Sequence, residues 1–178
     1  MFRDEGIPVW DADSTVHQLY SQGGAAVVPI RDICPQVIVA NAVDRTKLKA
    51  RIAQDPATLR QIESIVHPLV AKDRAQFIDR AAKQKSDLIV LDIPLLFETG
   101  ADKMMDATLV VTAPADVQRA RVLAREGMSE AQFDLILSRQ MPDAEKRARA
   151  TFVIETLTLE AARIAVRKVI KAIREDHA

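Results

Sequence analysis

Two acids separated by one residue are the first candidates for chemistry in this chain. Asp11-Ala12-Asp13 follows a short apolar run from Ile7 to Trp10. Two carboxylates at a strand end can hold a metal-bound water or take a proton from a hydroxyl. The same residues also suit a plainer purpose, with Asp13 or Ser14 capping the helix that follows. Asp92 ends a second apolar run, Leu88 to Leu91, and heads Ile93-Pro94-Leu95-Leu96-Phe97-Glu98. P-loop proteins keep an acid near Mg²⁺ at such a strand end. The other reading is a turn that Pro94 enforces, with the following leucines in the core.

A histidine and a basic stretch come next. His67 precedes Pro68, and proline disfavours helical backbone at the residue before it. That backbone would present the imidazole to a ligand, although a lone histidine is more often a hydrogen-bonded structural residue. Residues 119–149 hold Arg119, Arg121, Arg125, Arg139, Lys146, Arg147 and Arg149, interleaved with Glu126, Glu130, Asp134, Asp143 and Glu145. Arg121 and Arg125 are four apart and share a helix face. Guanidinium forks suit phosphate oxygens, while mixed charge runs also make ordinary solvated helix surfaces.

These residues must be carried by regular elements. Ile7–Trp10 reads as a strand, Ser14–Gln22 as a helix broken at Gly23-Gly24, and the stretch to Ala42 as irregular. Asp55-Pro56 starts a helix with Leu59, Ile62, Ile65 and Val66 on its apolar face. His67-Pro68 is expected to interrupt it, and a second helix to run from Pro68 to Gln84 with Val70, Phe77 and Ile78 inward. Leu88–Leu91, Ala107–Val111 and Phe152–Ile154 are continuous apolar runs, the pattern of strands buried on both faces of a parallel sheet. Helices open at Pro114, at Ser129 with Gln132 as a capping box, and at Pro142. A last helix, about Thr158 to Arg174, buries Ala162, Val166, Val169, Ile170 and Ile173. Strands alternating with helices give an α/β fold, whose ligands bind at the carboxyl ends of the strands. Those ends carry Asp11, Asp13, Asp92 and Thr112.

Composition excludes several classes. The 178 residues are 48% hydrophobic, with 25 basic and 25 acidic side chains, so bulk charge gives no reason to expect a nucleic-acid partner. Cys34 is the one cysteine, and no Cys/His cluster has zinc spacing. No signal-peptide pattern and no membrane-length apolar run is present, so a soluble, cytoplasmic protein without a membrane partner is expected.

In order and spacing, several of these segments resemble the dephospho-CoA kinase family. They are Gly6-Ile7-Pro8-Val9 leading into Asp11-Ala12-Asp13, then His67-Pro68-Leu69-Val70, then Leu91 through Glu98, then Arg139-Gln140 ahead of Lys146. The resemblance covers essentially the whole chain. It implies a parallel-sheet, P-loop-kinase-like three-layer fold, with a substrate-binding insertion over residues 23–68 and a helical lid over 119–149. It also implies one kinase domain over 1–178 that uses ATP with Mg²⁺ and 3′-dephospho-CoA and phosphorylates the ribose 3′-hydroxyl. Asp13 matches the base for that hydroxyl. Asp11, His17, His67, Asp92, Leu95 and Glu98 fall on the dephospho-CoA side. Arg121, Arg125, Arg139 and Gln140 fall in the lid over the phosphates, and no residue is assigned directly as a metal ligand.

Two features depart from the family pattern. Glu155-Thr156-Leu157 stands where the family has Asn or Asp and a glycine turn near the nucleotide base. The P-loop pattern G-x-x-x-x-G-K-[ST] is absent: Gly6, Gly23, Gly24, Gly100 and Gly127 are the five glycines, and none precedes lysine. Met1–Gly6 reads as the last turn of the P-loop helix, with the first strand and loop, roughly twenty residues, missing through a misplaced start or a truncated gene. The rival reading is a remnant without activity that at most binds CoA-like ligands. A nucleoside monophosphate kinase is a third class, disfavoured because Asp-Ala-Asp and Ile-Pro-Leu-Leu-Phe-Glu occur together.

Overall fold

The computed structural model describes residues 1–176. They fall into two compact units, Gly6–Pro94, and Met1–Glu5 together with the chain from Leu95 onward. Three two-stranded sheets are formed among the described residues, two of them parallel.

In the first unit, β1 (Val9–Asp11) runs parallel to β4 (Val90–Asp92). The expected strands are shifted toward their acidic ends, and β4 is half-buried rather than sealed on both faces. α1 (Ala12–Tyr20) starts directly after β1. Its cap is Asp11, whose Oδ1 accepts from Ser14 N–H at 2.7 Å, rather than the Asp13 or Ser14 that the sequence suggested. After α1 the chain doubles back on itself, and a Cβ at Gly24 would run into the Leu19 and Gln18 carbonyls. Only glycine allows that approach.

The stretch expected to be irregular is ordered. It holds α2 (Val27–Ile33), a 3₁₀ turn and a hairpin of β2 (Ile38–Val39) with β3 (Ala42–Val43). Ala40 and Asn41 turn the hairpin with φ of 47° and 61°, the left-handed pair that a two-residue turn demands. α2 is too short to persist alone. It forms because Val27 and Ile30 pack into a core with Ala26, Cys34, Val37, Val43, Leu48, Ile62 and Val66. Pro29 sits in the first turn, where its missing N–H costs nothing.

α3 (Arg45–Gln54) is capped by Asp44, which accepts from Thr46 and Lys47 N–H at 2.9 Å each. α4 (Ala57–Lys83) contradicts the expected break at His67-Pro68: it is one helix of 27 residues with Pro68 inside. Ile62 and Val66 before the proline, and Leu69 and Val70 after it, all pack on the same core. That shared burial outweighs a local proline cost of about 3 kcal/mol. The expected inward face is corrected at its ends, since Leu59 and Ile78 are exposed. Asp73 on α4 accepts from Trp10 Nε1 at 2.7 Å and from Thr15 Oγ1 at 3.2 Å, which ties β1 and α1 to the helix.

In the second unit, β5 (Leu109–Thr112) pairs in parallel with β6 (Phe152–Glu155), matching Thr112 to Glu155. Local signals set the helices here. α5 (Ala115–Leu123) follows Pro114, and α6 (Glu130–Ser138) is capped by Ser129 Oγ accepting from Gln132 N–H at 3.2 Å. α7 (Asp143–Arg149) follows Pro142. α8 (Leu159–Asp176) buries Ala162, Val166, Val169 and Ile170, while Ile173 is only half-buried. No helix among the described residues is long and apolar enough to cross a membrane.

The uninterrupted α4 makes a prediction. Pro68 is exposed, so Pro68→Ala loses little packing and regains a donor to the preceding turn. It should stabilise the protein by about 1–3 kcal/mol, read as a higher urea midpoint. An unchanged or lower midpoint would show that the proline is accommodated without cost.

Candidate active site

Strand register creates a cluster of acids in the first unit. Asp11 and Asp92 are partners in the β1–β4 ladder, so two carboxylates stand side by side at its carboxyl end. Parallel neighbours lie about 4.8 Å apart. Asp13 follows in the first turn of α1, exposed, and His17 lies one turn further on the same face, also exposed. The structure thus gathers Asp11, Asp13, His17 and Asp92 around one strand end. His67 is exposed on α4, and no side-chain hydrogen bond or ion pair engages it among the described residues.

No group of three His, Cys, Asp or Glu side chains among the described residues could hold a metal ion. Mg²⁺ normally needs only one or two carboxylates and takes its other ligands from phosphates and water. The Asp11–Asp92 pair therefore fits an ion carried in with a nucleotide, and does not fit a metal held by protein alone.

A separate cluster lies in the other unit. Leu95 is exposed with φ of 55°, so of the two readings of this turn the one with both leucines in the core does not hold for it. Left-handed backbone is uncommon for such a residue. Here Thr99 secures it by donating both N–H and Oγ1 to the Leu95 carbonyl, at 3.0 and 2.9 Å. Phe97 is the residue of this segment that is buried. Glu98 is engaged twice through Oε1, by Lys146 Nζ at 2.9 Å and by Met141 N–H at 2.8 Å. Burial, the largest influence on its carboxyl, pushes the pKa up. The Lys146 ammonium and the N–H groups of Met141 and Glu98 itself outweigh that and hold it below the ordinary 4.5.

The basic residues divide into two groups. Arg119 pairs with Glu130 and Asp134 at 2.9 and 3.4 Å and lies over the Phe133 ring, joining α5 to α6. Arg121 donates to the Thr156 and Leu157 carbonyls at 2.7 and 3.2 Å. Thr156 in turn donates N–H and Oγ1 to the Thr112 carbonyl at 2.8 and 3.0 Å. These bonds fix the Glu155-Thr156-Leu157 loop without a glycine. Arg147 pairs with Asp143 at 2.9 Å, and Arg149 with Asp102 at 2.8 Å. Arg125 and Arg139 are exposed, with no side-chain partner among the described residues, and Gln140 is half-buried. Of the expected phosphate ligands, Arg125 and Arg139 hold their forks ready, whereas Arg121 holds a loop.

Sequence reasoning missed Asp73, Asp102 and the partners of Lys146 and Arg149. Each acts across a long stretch of chain, and no local spacing announces such a pair.

Parallel ladders end on carboxylates, a capped helix starts straight after the first of them, and a separate helical segment carries arginines without side-chain partners among the described residues, all on an α/β frame. A sequence model described as dephospho-CoA kinase matches residues 1–160. A dephospho-CoA kinase of Cereibacter sphaeroides is 56% identical over 175 residues, covering 98% of this chain and 87% of that protein. One from Jannaschia is 58% identical over 175 residues, covering 98% and 89%. A Thermus thermophilus crystal structure superposes with a TM-score of 0.79 at 31% identity, covering 96% of this chain and 86% of that one. A Campylobacter jejuni dephospho-CoA kinase shares the fold, with a TM-score of 0.65 at 19% identity over 97% and 87% of the two chains. The chain belongs to the dephospho-CoA kinase family.

The depressed pKa of Glu98 links stability to acid. A carboxyl lowered in the folded state contributes stability that is present above its unfolded value and lost as pH falls through the folded value. Glu98→Gln removes that titration. Its urea midpoint should therefore fall less than that of the unaltered chain between about pH 5 and 3. Equal slopes would show that the Lys146 pair contributes nothing measurable.

Proposed function

We propose that these residues serve a phosphoryl transfer from the γ-position of ATP to the ribose 3′-hydroxyl of 3′-dephospho-CoA, giving ADP and CoA, once a phosphate-cradling glycine loop accompanies them. The observation that carries this reading is the Asp11–Asp92 pair at one strand end with Asp13 in the turn that follows. Phosphoryl transfer asks little covalent chemistry of a protein; it asks for position and for charge stabilisation. Asp13 is exposed at a helix start and suits the orienting base, accepting the 3′-hydroxyl proton as the oxygen attacks. Asp11 is held by its bond to Ser14 N–H, and Asp92 beside it faces the same substrate end. His17, His67 and Leu95 complete the dephospho-CoA side of this reading, with the 23–68 insertion as its wall, while Glu98 borders it with its Oε1 committed to Lys146 and Met141. Arg125, Arg139 and Gln140 meet the phosphates from the 119–149 lid, with Arg121 holding the neighbouring loop.

Mg²⁺ entering with ATP would neutralise charge on its phosphates, with Asp92 and Asp11 the carboxylates to hold it. No nucleic-acid or membrane partner is needed for this reaction, and a cytoplasmic location suits both substrates.

The glycine loop that usually cradles ATP phosphates is not among these 178 residues. The decisive comparison is therefore between this chain and a form extended at its N-terminus by a G-x-x-x-x-G-K-[ST] segment. CoA formation is expected only from the extended form. Comparable turnover by the 178 residues alone would overturn the need for the loop. An extended form that binds dephospho-CoA but makes no CoA would favour a ligand-holding role. Within the active form, Asp13→Asn keeps shape but accepts no proton. It should lower turnover about 10²–10⁴-fold with ATP affinity little changed. Unaltered turnover would remove Asp13 from the reaction.

A further inference from the structure

We infer that Glu98, with Lys146, Asp102 and Arg149, forms a two-point bracket that positions the foot of the arginine-bearing segment for phosphoryl transfer. The inference rests on the reading of Arg139 and Gln140 as phosphate-facing residues.

α6 ends at Ser138; Arg139 and Gln140 follow, and Met141 is the next residue. The Met141 N–H donates to Glu98 Oε1 at 2.8 Å, and Lys146 Nζ reaches the same oxygen at 2.9 Å. Both partners of that ion pair are largely covered, at 16% exposed for Glu98 and 21% for Lys146. Arg149 is three residues beyond Lys146, on the same face of α7. It donates to Asp102 Oδ2 at 2.8 Å, and its guanidinium lies 5.0 Å above the ring centre of buried Phe97. Its other nitrogen lies 3.8 Å from Met141 Sδ. Both acids come from the turn that follows Leu95, and both bases come from α7. Met141 is therefore held from both ends of the bracket. Asp143, at the start of α7, accepts from Thr112 Oγ1 at 2.8 Å, which joins the same helix to the carboxyl end of β5.

Two features point to positioning rather than ordinary surface pairing. The second oxygens, Glu98 Oε2 and Asp102 Oδ1, are buried without a hydrogen-bond partner. Such acids are tolerated only while their bases stay in place, because removing a base strands a buried charge. Loss of Lys146 or Arg149 would therefore be costly at its acid. The other feature is the use of Glu98: Oε1 already takes two donors from the arginine-bearing segment, and Oε2 is buried away from solvent. Glu98 acts on the reaction through Met141 and the two residues before it.

The test combines amide exchange with kinetics. In the 178-residue chain, Glu98→Gln and Lys146→Met should speed hydrogen exchange over residues 139–146 by about tenfold or more. Exchange over the β1–β4 ladder should stay unchanged. Lys146→Arg, which keeps the charge, should restore most of the protection, and it keeps the test open if Glu98→Gln does not fold. In the catalytically active form, Glu98→Gln should lower kcat by about tenfold, with KM for dephospho-CoA within about twofold. Unchanged exchange over 139–146 overturns the bracket. A raised KM for dephospho-CoA with unchanged kcat also overturns it, and makes Glu98 a substrate contact. If Arg139→Ala lowers kcat and Glu98→Gln does not, the positioning inference fails while the arginine reading stands. If neither substitution changes kcat, the arginine reading fails and takes the inference with it.

Discussion

The parallel pairing of β1 with β4 is the constraint on which the acid cluster of the first unit depends. Its register sets Asp11 beside Asp92, and a slip of one residue would turn every side chain on that strand to the opposite face. Neighbouring elements guard that register. Trp10, one residue before Asp11, is buried and spends its indole N–H on Asp73 of α4. Thr15, two residues after Asp13, shares the same carboxylate. Asp11 then closes the strand-to-helix junction by capping α1, where the positive end of the helix dipole favours its charge. The acids are thus fixed by backbone pairing, an aromatic anchor and a cap, and Asp13 is left exposed beside them.

The other unit solves a different problem, keeping some cations free among many acids. Arg119, Arg121, Arg147 and Arg149 are spent on helix pairing, on loop carbonyls and on neighbouring carboxylates. This leaves Arg125 and Arg139 exposed at the ends of α5 and α6. Exposed forks of this kind can swing onto phosphate oxygens without first breaking an internal bond. The chain's departure at Glu155-Thr156-Leu157 is answered in the same way, since Arg121 and Thr112 hold by side-chain and backbone bonds what a glycine turn would hold by conformation.

Some of this was legible in the sequence. Prolines at 114 and 142 and the Ser129 cap announced their helices, because helix starts are set by residues next to them. α8 was legible from apolar periodicity, and β5 and β6 from continuous apolar runs, although Val111 and Val153 are exposed and neither strand is buried on both faces as expected. α2 was not, because seven residues are too few to show a period, and what makes them helical is contact with α3 and α4. The continuity of α4 through His67-Pro68 was hidden for a related reason: local preference said break, and shared burial on both sides said continue. In the candidate site, Asp11, Asp13 and Asp92 were legible from strand-end position. The engagement of Glu98 with Lys146 and of Trp10 with Asp73 was not, because no sequence period links residues that far apart.

The central claim is that the strand-end acids address the acceptor hydroxyl. A crystal structure of the catalytically active form with dephospho-CoA and a non-hydrolysable ATP analogue tests it most directly. The account predicts the ribose 3′-oxygen within about 2.6–3.2 Å of an Asp13 carboxylate oxygen, with Asp11 and Asp92 flanking the same end of the ligand. A 3′-oxygen held by other residues, with the Asp13 carboxylate turned to solvent, would contradict it.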